Sequence, residues 1–144
     1  MRSHSLRLLL LVVASSLATA AVPAHAGPAT TGAAIGFARV NLGDGTVAAF
    51  GGKGTKSVST GPTGGPGLAV SFVGKFPKDL TPDQVIVQAT AEAFEGNLAV
   101  ANAVVSFATK DQVIVNVNGW LAGTSTPVDG YVFLTVYSGV APKE

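Results

Sequence analysis

Residues 131–137 read Tyr-Val-Phe-Leu-Thr-Val-Tyr, and this stretch is apolar on both of the faces that a β-strand presents. Side chains alternate along a strand, so one face carries the aliphatic residues and the other carries the aromatic residues, interrupted by Thr135. The two sets are Val132, Leu134 and Val136 on one face, and Tyr131, Phe133 and Tyr137 on the other. Such a strand is expected in the middle of the fold. Its second face would be covered either by another layer of the same chain or by a neighbouring copy of the protein.

The first 26 residues are predicted to be a cleaved signal peptide. Arg2 and Arg7 form a positive start, residues 8–13 are apolar, and Ala24-His25-Ala26 forms a small-x-small cleavage site before Gly27. A retained membrane span is the weaker interpretation, because residues 8–22 fall short of the roughly 20 apolar residues that a span needs. Cleavage after Ala20 is a second possibility. We therefore expect a secreted or extracytoplasmic protein of the cell envelope, with no stable membrane span after cleavage.

Removal of this peptide changes the chemistry that the chain can offer. Both histidines and the single methionine belong to it, and the chain has no cysteine, so the mature part has neither imidazole nor thiol. Nine basic residues less Arg2 and Arg7 leave seven, against eight acidic residues, for a net charge of −1. Nucleic-acid binding, which needs clustered basic residues, is not expected. Without disulfides, a hydrophobic core must stabilise the fold by itself.

The mature chain reads as short strands separated by turn residues, with no convincing amphipathic helix. A flexible leader over residues 27–34 is expected to precede a single domain over 35–141. The expected strands are 35–41, 46–50, 57–60, 68–76, 85–91, 99–108, 113–117 and 131–137. Gly43-Asp44-Gly45 predicts a hairpin between the first two, and Glu95-Gly96-Asn97 predicts a later reversal.

These seven or eight strands predict an all-β fold. The expected architecture is an antiparallel β-sandwich of jelly-roll or Greek-key type, with a closed barrel as the alternative. The strands that begin at Leu68, Val85, Ala99 and Val113 are joined by short connections, and they are expected to run as a meander.

Two resemblances follow from this order of segments. Gly36-Phe37-Ala38-Arg39-Val40-Asn41, then Asp44-Gly45-Thr46-Val47, a Val-x-Phe strand, two valine-rich strands and a closing aromatic strand resemble small β-sandwich domains of bacterial secreted, collagen-like surface and phage tail-like proteins. The order from Leu68 onward is also similar to that of H-type lectins. Both resemblances imply a non-enzymatic protein that oligomerises, and the second implies binding of glycans.

Catalytic and metal-binding patterns are weak in this sequence. Residues 51–57 are rich in glycine and lysine but lack the spacing of a phosphate-binding loop. Glu92 and Glu95 beside a turn could form an acid–base pair, but surface charges near a reversal are normally just solvated, and this is the favoured interpretation. The loop aspartates are of the residue type that binds calcium, but no Asp-x-Asp-x-Asp series is present. Structural roles in turns explain these residues adequately. These aspartates are Asp44, Asp79, Asp83 and Asp129. No enzyme activity, cofactor or metal is expected.

The aromatic residues are the strongest candidates for a contact surface. Tyrosine and tryptophan offer large amphipathic areas, and asparagines on the alternation face of Ile114 could add polar contacts. The candidate residues are Trp120, Tyr131, Phe133, Tyr137, Asn116 and Asn118. The same aromatic residues could instead form the second face of the core.

The sequence therefore predicts a secreted, non-catalytic module that acts by association. Its role would be structural, surface or adhesive, with self-association expected and with other extracellular proteins as further possible partners. The alternative is a carbohydrate-binding module, whose partners would be glycans.

Overall fold

The computed structural model describes residues 32, 34–93 and 95–139, and these form eight β-strands and one 3-10 turn. The elements are β1 (Ala34–Asn41), β2 (Val47–Gly51), β3 (Thr55–Pro62), β4 (Leu68–Gly74), the 3-10 turn Pro82–Gln84, β5 (Val85–Ala91), β6 (Ala99–Ala108), β7 (Gln112–Leu121) and β8 (Tyr131–Ser138). The predicted signal peptide and most of the predicted leader lie outside the described residues, while Ala34, expected in the leader, begins β1. Within the described part of the chain, no helix is long and apolar enough to cross a membrane.

The strands form two four-stranded antiparallel sheets. The first sheet has the order β2-β1-β8-β5 and the second has the order β3-β4-β7-β6. The predicted all-β antiparallel sandwich is thus confirmed. The chain changes sheet four times: between β2 and β3, β4 and β5, β5 and β6, and β7 and β8. β8 lies between β1 and β5, so the stretch that opened the sequence analysis is a central strand.

The expected meander from Leu68 is wrong. β4 pairs with β7, and β5 pairs with β8 in the other sheet, so among the four strands from β4 to β7 only β6 and β7 form a hairpin. Turn residues specify that the chain reverses, but they do not specify which sheet the next strand joins. Glu95 and Gly96, both at positive φ (48° and 78°), reverse the chain between β5 and β6 without joining the two strands in one ladder.

Other local predictions are confirmed or need correction at their boundaries. β1 and β2 form the predicted hairpin, where Gly45 adopts a φ of 74° and its N–H donates to Asn41 O at 2.9 Å. β3 spans Thr55–Pro62 and so extends beyond both ends of the predicted strand 57–60. β7 continues to Leu121, because its alternation of buried and outward residues extends past Val117.

The core consists of the inward faces of the two sheets. Alternate residues of β1 and β8 meet those of β4 and β7, and most are valines, whose branched side chains suit a pleated surface. The fully buried side chains are Val40, Val70, Phe72, Val113, Val115, Val117, Val132, Leu134 and Val136. The aliphatic residues of β8 hold its inward positions, so its aromatic residues, which hold the alternate positions, point away from the core.

Candidate functional site

The outward side of the first sheet carries a continuous group of aromatic and apolar residues. We call it the aromatic face, and define it as Phe37, Arg39, Ile86, Tyr131, Phe133 and Tyr137. Directly opposed residues in an antiparallel pair share a face. The register sets Arg39 opposite Phe133, and Tyr137 opposite Ile86. The aromatic face therefore crosses β1, β8 and β5.

This face is exposed to solvent within the described residues. Phe37, Ile86 and Phe133 are each 46% exposed, and Tyr131 and Tyr137 are partly exposed. By contrast, Leu134 on the opposite side of β8 is 1% exposed. The structure therefore places the three aromatic residues of β8 outside the core of their own chain, which was one of the two alternatives that the sequence left open.

Arg39 lies between the rings of two β8 residues. Its guanidinium carbon is 3.7 Å from the centre of the Tyr131 ring and 5.7 Å from the centre of the Phe133 ring. Both distances are within the range of a cation–π interaction. The stacking holds the long side chain flat against the sheet, so it covers aromatic surface while keeping its charge near water.

Glu92 neutralises this cation. Arg39 Nε donates to Glu92 Oε1 at 2.7 Å and Nη2 donates to Oε2 at 2.9 Å, a two-pronged ion pair. Glu92 follows β5 and is held in place because its backbone N–H donates to Tyr131 O at 2.9 Å. We call this contact the Arg39–Glu92 pair.

The pair also shifts the pKa values of both groups. The hydrogen bond from Arg39 lowers the pKa of Glu92 below its ordinary value, and the same bond raises the pKa of Arg39. A general acid needs a pKa near the working pH. Glu92, considered in the sequence as a partner of Glu95 in acid–base chemistry, is instead held as a carboxylate by Arg39.

Phe37 reaches across to the edge strand. It pairs with Gly51 of β2, and a Cβ atom on Gly51 would lie 2.7 Å from Phe37 Cζ. The ring therefore occupies the space that a side chain at position 51 would take. Glycine at the edge strand broadens the aromatic face toward β2.

Trp120 does not join the tyrosines. It lies on β7 in the second sheet, on the same outward side as Asn116 and Asn118, and it pairs with Val100 of β6. The six candidate residues thus divide into two groups on opposite sides of the sandwich: Tyr131, Phe133 and Tyr137 on one, and Asn116, Asn118 and Trp120 on the other. Continuing the alternation of β7 by two residues puts Trp120 on the side of Asn116 and Asn118, but it does not show which sheet holds β7.

The two asparagines differ in their surroundings. With its amide nitrogen oriented toward carbonyl groups, Asn118 donates to Val117 O at 3.0 Å and to Pro66 O at 2.5 Å, so it holds the loop between β3 and β4. Asn116 lies between Ala69 of β4 and Val104 of β6. Asn118 therefore has a structural role, while Asn116 contributes a polar group to the outward surface.

A pocket of about 280 Å³ lies beside Trp120 at one end of the sandwich. We call it the Trp120 pocket. It combines an aromatic ring with hydroxyl, carboxylate and amide groups, and it is lined by Leu42, Pro66, Gly67, Asn118, Gly119, Trp120, Ser125, Pro127, Val128 and Asp129. Glycine at position 119 lets Leu42 pack closely against β7, because a Cβ at this position would lie 2.6 Å from Leu42 Cδ1.

The aspartates considered for calcium do not converge. Among the described residues, no group of three or more acidic, histidine or cysteine side chains could hold a metal ion. Asp44 Oδ1 accepts the N–H of Thr46 at 2.8 Å, and this bond lowers the pKa of Asp44. Asp44 therefore stabilises the β1–β2 turn, the role that its position in the sequence indicated.

Comparison of the chain with models of protein families, with curated proteins and with solved structures gave no match.

Three members of the aromatic face were not among the residues singled out from the sequence. Phe37 and Ile86 lie at alternate positions of strands whose other side is buried, so strand periodicity could have identified them as outward. Arg39 is the single arginine after residue 7, and it lies within a strand between Ala38 and Val40, which is a local signal for a specific partner.

Proposed function

We propose that this protein is an exported, non-catalytic β-sandwich module that acts by self-association through its aromatic face. The observation that carries this proposal is the exposure of Phe37, Ile86 and Phe133 around the Arg39–Glu92 pair. Clustered exposed apolar side chains are uncommon on monomers and are typical of interaction surfaces. Tyrosine, phenylalanine and arginine are also the residues enriched in the centres of interfaces.

The charges of this surface support a second copy as the partner. Among the outward residues of β1, β8 and β5, the charges are those of Arg39 and of neighbouring Glu92, and they cancel. Burying such a face leaves no unpaired charge, the main cost of burial for polar surfaces. In a two-fold arrangement, Arg39 of one copy can also approach Glu92 of the other.

The dependence of thermal stability on concentration tests this proposal. Self-association stabilises the folded state by mass action, so the melting temperature should rise with protein concentration. Phe133→Thr keeps a residue that suits a strand but removes the ring, and we expect it to abolish this rise. Leu98→Thr is the matched control, because Leu98 is 78% exposed in the loop before β6 and lies outside the aromatic face. A melting temperature independent of concentration in the wild type would contradict the proposal.

Carbohydrate binding is the second candidate function, and the Trp120 pocket is the observation that favours it. A pocket of about 280 Å³ is of the order that one sugar ring needs, and it offers an aromatic plane beside Asp129 and Ser125. Aromatic rings contact the apolar faces of ligands, while the polar groups fix their orientation.

Trp120 provides the test, because it is the single tryptophan of the chain and intrinsic tryptophan fluorescence reports on it alone. A glycan array should identify ligands, and titration with one of them should change the emission of Trp120. Asp129→Asn should weaken this binding at least tenfold, whereas Asp83→Asn, at the distant 3-10 turn, should not. An array without any bound glycan would remove this candidate and leave the association proposal untouched.

A further inference from the structure

The outward side of the second sheet carries a second apolar surface, opposite the aromatic face. Val73 is 39% exposed, Val100 45%, Val104 58% and Phe107 43%. The register places Phe107 beside Ile114, and Val104 beside Asn116, all on this outward side. We call this surface the valine face. The two sheets enclose the core between them, so the aromatic face and the valine face point in opposite directions.

The valine face has a step in its profile. The bulky side chains Val100, Val104 and Phe107 lie along β6 at one edge. Across the sheet from β7, the paired residues on β4 and then β3 are small. Ile114 pairs with Ser71, which pairs with Ser59; Asn116 pairs with Ala69, which pairs with Gly61. One half of the face is therefore raised, and the other half is low except at Val73, near the end of β4.

A stepped face of this kind fits a second copy of itself. A two-fold axis parallel to the strands and lying between the two faces places the raised half of each copy over the low half of the other, which is the self-complementarity that an isologous interface requires. Among the four strands of this sheet, Lys56 of β3 is the single charged residue. In this arrangement it lies over β6 of the other copy, which carries no charge, so no like charges meet across the axis.

The polar groups of the valine face agree with the same partner. Gln112 Nε2 donates to Ser71 Oγ at 2.6 Å, so these two groups are bonded to each other. Asn116 lies on the central strand β7, near this axis, and its amide has both a donor and an acceptor, so it can pair with the amide of its counterpart in the other copy.

We infer that the valine face is a second isologous interface, occupied by another copy of this chain, so that assembly extends beyond a dimer. This inference rests on the proposed function, because it adds a second contact to the one made by the aromatic face. With one self-complementary face on each side of the sandwich, each copy can bind a neighbour on both sides. Copies would then stack with aromatic and valine interfaces alternating.

Sedimentation velocity on the purified full chain and four variants tests the inference. Phe133→Thr blocks the aromatic face, Val104→Lys blocks the valine face, and the third variant combines both. Gly64→Lys controls for an added surface charge, because it lies in the loop between β3 and β4 where an added side chain meets no neighbour. The wild type and Gly64→Lys should form species larger than a dimer whose size grows with concentration. Each blocking variant alone should stop at a dimer, and the combined variant should be a monomer.

The outcomes separate the two proposals. If the wild type stops at a dimer that Phe133→Thr converts to monomer and Val104→Lys leaves intact, self-association stands and the valine interface is refuted. If Val104→Lys alone yields monomer while Phe133→Thr has no effect, the aromatic interface is refuted instead. Phe107→Thr, on the same face as Val104, replaces Val104→Lys if circular dichroism shows that the lysine variant loses its β-structure.

Discussion

Arg39 on β1 has partners from two other places in the chain. Its guanidinium lies over the rings of Tyr131 and Phe133 of β8, and its counter-ion Glu92 follows β5. The contact joins three adjacent strands across the outward side of the first sheet. It also permits a cation in the middle of an apolar surface, since the carboxylate balances its charge. The aromatic face can therefore be buried against a partner without isolating the guanidinium.

The lowered pKa of Glu92 predicts how stability responds to acid. The folded state favours the charged carboxylate more than the unfolded state does, so the pair stabilises the fold above the unfolded pKa of Glu92. This contribution is lost as the pH falls through the lower, folded pKa. The effect is modest because the pair is about one-third exposed.

Thermal unfolding between neutral pH and pH 2 should show this effect. Glu92→Gln should lower stability at neutral pH and give a shallower loss toward acid than the wild type. Glu95→Gln is the control, because the described residues show no ion pair for Glu95. Parallel curves for the wild type and Glu92→Gln would mean that the Arg39–Glu92 pair does not contribute to stability.

Strand periodicity predicts which side of a strand a residue occupies, but not which residues from distant strands lie beside it. It placed Tyr131, Phe133 and Tyr137 on one side of β8 correctly. It could not join Arg39 to Glu92, which is 53 residues away, because that contact depends on the order of β1, β8 and β5. Trp120 was grouped with the tyrosines for the same reason, although β7 belongs to the other sheet.

β8 has one side in the core and one side facing outward, and substitutions on the two sides should have different consequences. Leu134 is 1% exposed and packs in the core. Leu134→Ala should lower the free energy of unfolding by about 2–5 kcal/mol through lost burial and the cavity that remains. Chemical denaturation monitored by circular dichroism measures this change.

Tyr137→Ala changes the outward side of the same strand. We expect it to weaken assembly, which should reduce the rise of melting temperature with concentration, while the β-rich circular dichroism spectrum is retained. If Leu134→Ala and Tyr137→Ala instead lower the stability of the monomer equally and leave its oligomeric state unchanged, the outward side of β8 is not an interface.

In the turn between β5 and β6, Glu95 has a backbone conformation that is unfavourable for glutamate. Glu95 has a φ of 48° in the left-handed region, and Gly96 follows at 78°. Asparagine tolerates this region better than glutamate, and an asparagine–glycine pair is preferred where two successive residues have positive φ. Glu95→Asn should therefore stabilise the fold by about 1 kcal/mol in chemical denaturation. Glu95→Ala removes the same charge without relieving the backbone, so equal gains from both variants would refute this explanation.

Individual strands were more predictable than their arrangement. β5 and β6 have the predicted bounds, because short runs of alternating apolar residues between turns are a local signal. The pairing of β4 with β7 and of β8 with both β1 and β5 is non-local, and no single turn encodes it. The valine face was missed for this reason, since it comes together only when β4, β7 and β6 are neighbours.

The sandwich as a whole combines a low charge with two apolar outward sides. Charged residues make up 12% of the chain and hydrophobic residues 47%. The outward positions of the central strands hold few of those charges, and the two on the aromatic face are paired. A fold with this distribution has little repulsion between copies, which is a condition that the proposed self-association requires.

Multi-angle light scattering on the purified wild-type protein, from low to high micromolar concentration, tests self-association most directly. Association through the outward faces predicts a molar mass above that of one chain, increasing as the concentration rises. A mass equal to one chain at every concentration, up to the high micromolar range, would contradict it.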